Sequence, residues 1–174
     1  ESAPPVEIRE YAPYVVAETR VTGGFRDVGN EGFRRLFAYI SGENRGTAKI
    51  AMTAPVTQQA APEKIAMTAP VTQQADGDVY RIAFVLPSQY TLESAPVPTN
   101  PDVRLAEVPA RRVVAVRYSG LWSAENYKEA LGQLTAFAQQ RGLKLTGEPV
   151  YARYDPPFMP WFLRRNEILV EIAR

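Results

Sequence analysis

The chain opens on an alternation. Apolar Val6 and Ile8 interleave with Glu7, Arg9 and Glu10 as far as Tyr11, the period of a strand with one wet face, and Pro13 ends it. Residues 14–21 read as a second strand, Gly23-Gly24 break the pattern, and a helix is predicted over residues 25–40. There Phe33, Leu36, Phe37 and Ile40 fall at i, i+3, i+4 and i+7, one face of a helix. Gly29 and Gly32 inside it each cost about 1 kcal/mol of helix relative to Ala. Two such costs in one helix point to another backbone or a ligand coming close, against the plainer reading of an imperfect helix.

Residues 79–86 read as the clearest strand, and residues 87–101, with Pro87, Pro96, Pro98 and Pro101 and no period, predict a surface loop. Strands resume over residues 102–108 and 111–118, turning at Pro109-Ala110. Ser123 is the expected N-cap of a second helix over residues 124–141, with Tyr127, Leu131, Leu134 and Ala138 as its buried face. Gly142 stands where a left-handed C-terminal cap belongs. Residues 148–154 are a strand, 155–160 a proline-rich loop and 167–172 a closing strand.

Strand, strand, helix, strands therefore occurs twice, and Val15-Val16-Ala17 before the first helix is echoed by Val113-Val114-Ala115 before the second. Short strand-to-strand links favour antiparallel pairing. The predicted class is α+β: one domain over residues 1–174, a β-α-β-β type unit duplicated over about 5–86 and 102–173. Its sheet is expected to be antiparallel, curved or closed into a distorted β-barrel flanked by two helices.

A second, local duplication lies inside the first half. Residues 49–60, Lys-Ile-Ala-Met-Thr-Ala-Pro-Val-Thr-Gln-Gln-Ala, recur letter for letter at residues 64–75. The unit is too short for a solenoid repeat. Ile50, Met52 and Val56 alternate, as do Ile65, Met67 and Val71, so each copy reads as a strand interrupted by Pro55 or Pro70. Either the copies pair with each other across Ala61-Pro62-Glu63, or one hangs outside the sheet.

Composition narrows the chemistry. At 174 residues a single domain buries roughly 70% of its unfolded surface without help from disulfides. Hydrophobic content of 45% and charged content of 22% are those of an ordered globular chain. Lys and Arg total 20 against 19 Asp and Glu, with no long basic run, which argues against nucleic acid as a partner. There is no Cys and no His. That removes thiol nucleophiles, histidine triads, the usual general base near neutral pH and the commonest metal ligand. No apolar run is long enough to span a membrane. A first residue Glu1, with no Met before Met52, reads as a trimmed chain and leaves cytoplasm and cell envelope both open. Oligomeric state has no signature in the sequence.

Four stretches carry a resemblance: Val6-Glu7-Ile8-Arg9-Glu10-Tyr11, the Lys-Ile-Ala-Met-Thr-Ala-Pro-Val phrase, Val108-Pro109-Ala110-Arg111-Arg112, and Tyr154-Asp155-Pro156-Pro157 followed by Arg164-Arg165-Asn166-Glu167. In these the chain resembles the SOUL heme-binding protein family over nearly its whole length. The resemblance implies a distorted barrel flanked by two helices, similar to bacterial effector-binding domains. Counting from the first helix places the family's single phrase at Met52, counting back from the strand at Val79 places it at Met67, and an insertion explains both. The second copy is favoured as the sheet strand and the first as an excursion.

The resemblance also implies a tetrapyrrole ligand, generally heme, in a shallow apolar cleft. The implied contacts are Asn30, Phe33, Phe37 and Ala38 on the first helix, Met67 on the doubled phrase, and Tyr154 and Met159 on the loop before the last strand. Phe33 and Phe37 would stack on a macrocycle; the alternative is that both pack on the sheet. Where the family offers basic residues to the propionates this chain has Asn30, Ala38 and Met159, which weakens that pairing unless Arg34, Arg45, Lys49 or Lys64 substitutes. Iron ligation falls to Met52, Met67 or Met159, followed by Tyr154, with Met as core filler the competing reading.

Arg164-Arg165-Asn166-Glu167 either grips an anionic ligand edge or pairs Glu167 with an Arg to fix the loop, the second being favoured. Trp122 and Trp161 line a cleft mouth or shield the core. The leading expectation is a non-catalytic tetrapyrrole carrier, buffer or sensor. Beside it stand an effector-binding module for a small amphipathic or cationic molecule, with Glu148 or Glu167 as counter-charge, the fold retained without heme binding, and, lowest, a tetrapyrrole-modifying enzyme.

Overall fold

The computed structural model describes residues 6–46, 71–76, 79–121, 123–155 and 159–173. The first copy of the doubled phrase with Met52, the part of the second copy holding Met67, and Lys49, Lys64 and Trp122 lie outside them. In chain order the elements are β1 (Val6–Tyr11), β2 (Tyr14–Thr22), α1 (Phe25–Ser41), β3 (Asn44–Arg45), β4 (Val71–Asp76), β5 (Val79–Val85), β6 (Val97–Pro98), β7 (Val103–Val108), β8 (Arg111–Tyr118), α2 (Ala124–Gln140), β9 (Leu145–Arg153) and β10 (Asn166–Ile172). A single 3-10 turn, Trp161–Leu163, precedes the last strand. The fold is α+β.

Eight strands form one antiparallel sheet in the order β1-β8-β10-β9-β4-β5-β2-β7, while β3 and β6 pair separately. The sheet is not closed, so the expected barrel is an open sheet with β1 and β7 as its edges. Tyr11 pairs with Arg111 and Tyr14 with Val108, so the links Ala12-Pro13 and Pro109-Ala110 bring the two edges together at one corner. The last residues of the second copy, Val71 to Ala75, form β4 in mid-sheet, paired with β5 and β9, as favoured for that copy.

Both helices follow from their ends and stripes. Ser123 caps α2 as expected: its hydroxyl oxygen accepts the Asn126 N–H at 3.2 Å. Gly142, at φ 64°, turns the chain out while Leu143 N–H donates to Ala138 O at 2.9 Å. Ala130, Leu134 and Ala138 are buried, with Tyr127 and Leu131 half-buried at the margin. On α1 the buried stripe is Val28, Leu36, Tyr39 and Ile40, and Phe37 is 47% exposed rather than part of the core face. Gly32 explains itself: a Cβ there would stand 2.4 Å from Ile82 Cγ1, so its absence lets the helix approach β5 closely.

Packing divides into three clusters. Leu36, Tyr39 and Ile40 of α1 meet Val15, Ile82 and Phe84; Leu134 and Ala130 of α2 meet Val114, Val116 and Ile168; Val113, Ala115, Val150 and Leu169 form a smaller cluster. The segment 87–101 is not simply a surface loop. Ala95 and Pro96 are buried, Pro96 O accepts the Tyr39 hydroxyl at 2.8 Å, and β6 pairs with β3 beside the end of α1. Proline without period hid a segment whose carbonyl satisfies a buried phenol. Among the described residues no helix is long and apolar enough to cross a membrane.

Two glycines give opposite expectations. Gly32→Ala forces a methyl into Ile82 and is expected to lower stability by about 2 kcal/mol. Gly132→Ala on α2 enters open space and is expected to raise it by about 0.5–1 kcal/mol. Urea midpoints of the two variants against the parent chain check both signs.

Candidate functional site

Cross-strand partners share a face of a sheet, so the register maps the site. One row runs Ile82, Gln73, Tyr151, Ile168 across β5, β4, β9 and β10; the next runs Phe84, Val71, Arg153, Asn166, Tyr118 as far as β8. Ile82 packs with α1 and Ile168 with α2, so these rows lie on the face that carries both helices. α1 rests on β2, β5 and β7, and α2 on β8 and β1. β4 and β9 between them floor a cleft.

Tyrosines fill that floor. Tyr127 of α2 stacks on Tyr151 with ring centroids 4.1 Å apart and planes 25° apart. A cavity of about 10 Å³ remains beneath, lined by Tyr118, Ser123, Tyr127, Tyr151 and Arg153. That is room for about one water, so a large ligand must lie along the cleft rather than enter it. Burial pushes the Tyr118, Tyr127 and Tyr151 phenols up from their usual range, and Tyr151 further by its hydrogen bond to Tyr127. They are neutral hydrogen-bonding groups at physiological pH. Burial lowers Arg153, against the raising influence of Tyr118 and Tyr151, yet a guanidinium stays charged.

α1 forms the opposite wall. A Cβ on Gly29 would lie 3.2 Å from Arg153 Nη1 and 3.3 Å from Gln73 Oε1, so the helix backbone comes down directly over the floor. One turn on, Phe33 packs on Phe84 at 5.5 Å, and Phe37 stacks on Phe33 at 5.7 Å with planes only 15° apart. Gly29, Phe33 and Phe37 thus make one stripe at i, i+4 and i+8. Asn30 is exposed on the same side, whereas Ala38 lies about 140° round the helix from Phe33 at 100° per residue.

The loop residues go elsewhere. Tyr154 packs with the Val113 and Ala115 cluster on the other face of the sheet, and its hydroxyl donates to Glu167 Oε2 at 2.7 Å. Met159 is half-buried and its carbonyl accepts Arg164 Nε at 2.8 Å. The structure therefore brings Phe33, Phe37 and Asn30 together and separates Tyr154 from them. Arg34 is exposed and paired with Glu31 at 2.9 Å, and exposed Arg45 belongs to the β3–β6 pair. Arg153, Tyr118 and Tyr151 were not singled out from sequence. The alternation of Tyr151 and Arg153 within a strand was the available signal, but not which face they take.

Glu167 takes the structural role favoured for it. Its side chain is fully buried. Arg9 donates to both carboxylate oxygens, at 2.7 and 3.0 Å, Arg165 donates at 2.8 Å, and the Arg165 guanidinium lies 4.3 Å from the Tyr154 ring centroid. Burial alone would raise this carboxyl; the bonds from Arg9, Arg165 and Tyr154 outweigh it and hold it at about 2. Glu167 is thereby committed to its arginines, and Glu148, the other carboxylate considered for a cationic ligand, is exposed. Trp161 is 56% exposed on its 3-10 turn.

Comparison with known proteins agrees with this architecture. The sequence matches the SOUL heme-binding protein family over residues 1–171. Heme-binding protein 2 of Homo sapiens is 29% identical over 171 residues, covering 92% of this chain and 78% of that protein. Heme-binding protein 1 of Xenopus laevis is 26% identical over 163 residues, covering 93% and 80%. Among solved structures, an uncharacterized conserved protein from Listeria innocua superposes with a TM-score of 0.67 at 13% identity over 98% of this chain and 93% of that one. The EcmrR C-terminal domain does so with a TM-score of 0.62 at 12% identity over 98% of both chains. These two likenesses show the fold alone.

The Glu167 cluster sets an acid limit. A carboxyl held at about 2 instead of 4.5 contributes stability that is complete above the unfolded value and is lost as pH falls through the folded one. Unfolding free energy is expected to drop between pH 4.5 and 2. Glu167→Gln, which removes the buried carboxylate that Arg9 and Arg165 share, is expected to cost on the order of 3 kcal/mol at neutral pH and to flatten that acid limb. Denaturant titrations across the pH range check it.

Proposed function

Because the chain belongs to the SOUL heme-binding protein family, we propose that it is a non-catalytic tetrapyrrole binder. It holds a porphyrin against the α1 wall of the cleft and serves as a carrier, buffer or sensor. The observation that carries this reading is the Phe33–Phe37 pair: two nearly parallel rings, the outer one 47% exposed, standing over a floor that contains a guanidinium. An exposed aromatic on a helix otherwise packed by its apolar side is a ready surface for a flat apolar ligand. The relatives carry the name heme-binding protein, which points to the same ligand class.

The residues present fit the macrocycle better than its metal. With no His or Cys in the chain, an iron ligand would have to be Met or Tyr. Tyr154 donates to Glu167, and burial and that bond both push its phenol up, so it resists the ionised form a metal would take. Met159 offers only a thioether, and Met52 and Met67 lie outside the described residues. Phe33, Phe37 and Arg153 would hold the ring, whose conjugated system, and iron where present, supplies all the chemistry.

Catalysis finds little support in these side chains. Glu167 is neutralised by two arginines, and the cleft phenols are raised away from ionisation, so neither is a general base near neutral pH. A cationic effector, the alternative occupant, would meet the Arg153 guanidinium on the floor.

Titration of the purified chain with hemin and with iron-free protoporphyrin, followed by visible absorbance, is expected to give saturable binding of both with similar affinity. Phe37→Ala is expected to weaken both by about three- to tenfold while costing about 0.5–1.5 kcal/mol of stability, the worth of its stacking on Phe33. Phe33→Ala, which also loses the Phe84 contact, is expected to cost stability as well. A chain that binds neither ligand ends the tetrapyrrole reading.

A further inference from the structure

The family-implied positions for acid-edge contacts hold no charge in this chain: Asn30, Ala38 and Met159 are all neutral. Arg34 is turned to Glu31 and solvent. Yet the cleft itself contains a guanidinium. Arg153 emerges from the last residue of β9 on the helix-bearing face, in the same cross-strand row as Val71 and Phe84. Its Nη1 lies close beneath α1, 3.2 Å from where a Cβ on residue 29 would stand, so any side chain there would crowd it.

We infer that Arg153 is the carboxylate anchor of this cleft, so that its ligand is a tetrapyrrole with free acid side chains, lying on Phe33 and Phe37 with its acid edge over Gly29. The inference rests on the tetrapyrrole reading above and names which end of the ligand goes where. Gly29, Phe33 and Phe37 share one stripe, and at 1.5 Å rise per residue the two rings stand about 6 and 12 Å along the axis from Gly29. A macrocycle stacked on the rings therefore directs one edge towards the guanidinium.

Geometry and chemistry agree at that end. A guanidinium presents a planar fork of donors that matches a carboxylate in two parallel bonds. Tyr118 lies in the same row as Arg153, and Tyr151 stands beside it on β9. Neutral phenols next to a cation add donors without opposing charge. The half-buried setting excludes bulk water from one side of the pair, so the attraction is larger than between two exposed groups. Gly29 likewise keeps the helix backbone close over the Arg153 and Gln73 side-chain ends, a tighter seat than a residue with a Cβ would give.

The test compares a porphyrin diacid with its dimethyl ester, deuteroporphyrin and deuteroporphyrin dimethyl ester in dilute non-ionic detergent, on the full chain and on Arg153→Gln and Arg153→Lys. The parent chain is expected to prefer the diacid by at least about tenfold, the order of one charge-assisted pair. Arg153→Gln is expected to bring the diacid down to the affinity of the ester while leaving the ester unchanged, and Arg153→Lys to retain part of the preference. Unchanged ester binding shows that the Gln variant is folded; if it is lost with the melting transition, the Lys variant carries the comparison. A preference that survives both substitutions, or a parent chain that binds diacid and ester equally, overturns the anchor and leaves the tetrapyrrole reading standing. Binding of neither porphyrin by the parent chain overturns both.

Discussion

An α-helix with its side chains is about 10 Å across, whereas eight strands at about 4.8 Å spacing make a sheet about 34 Å wide. Two helices on one face cannot cover it, and their placement decides which strands stay open. Here α1 rests on β2, β5 and β7 and α2 on β8 and β1, which leaves β4 and β9 in the middle. The floor between the helices, overhung by Gly29 of α1 and Tyr127 of α2, has to be polar enough to meet water and apolar enough to continue the core. Tyrosines with an arginine among them satisfy both conditions. The close seat of α1 against Ile82, permitted by Gly32, sets how near the aromatic stripe stands to that floor.

The two faces of the sheet then divide the charge. On one, Glu167 is buried and held by Arg9, Arg165 and Tyr154, tying β1, the loop before β10 and β10 itself into a unit. Such an arrangement stabilises through the cost of breaking it, because removal of one partner strands a buried charge. On the other, Arg153 stands among phenols that burial keeps neutral. The fold itself is shared with the EcmrR C-terminal domain.

The helices and most strands were legible because each has one buried and one wet side, or a cap with its own chemistry. Ser123 and Gly142 mark the ends of α2 through hydrogen bonds made within a few residues. Gly32 was expected to meet another backbone or a ligand, and what it meets is the Ile82 side chain. On α1 the period alone did not say how the stripe is seated: Phe33, Leu36, Phe37 and Ile40 obey the helical period, and the helix is turned so that Tyr39 and Val28 are buried and Phe37 looks outward. Periodicity names a set of positions and leaves the rotation of the helix to its neighbours.

The sequence by itself determined the family, the α+β class, the antiparallel pairing and the lack of histidine and cysteine chemistry, since these follow from local period, short links, motif and composition. Only the tertiary structure decided that Tyr154 and Arg153, adjacent in the chain, serve opposite faces, one bonded to Glu167 and the other beneath Gly29. It also decided that Arg9 completes a carboxylate 158 positions away. The physical reason is that β10 is buried on both faces and shows no alternation, while on β9 the alternation of half-buried Tyr151 and Arg153 with buried Val150 and Ala152 does not say which side carries the helices. A long-range ion pair, likewise, leaves no trace in the residues that flank it.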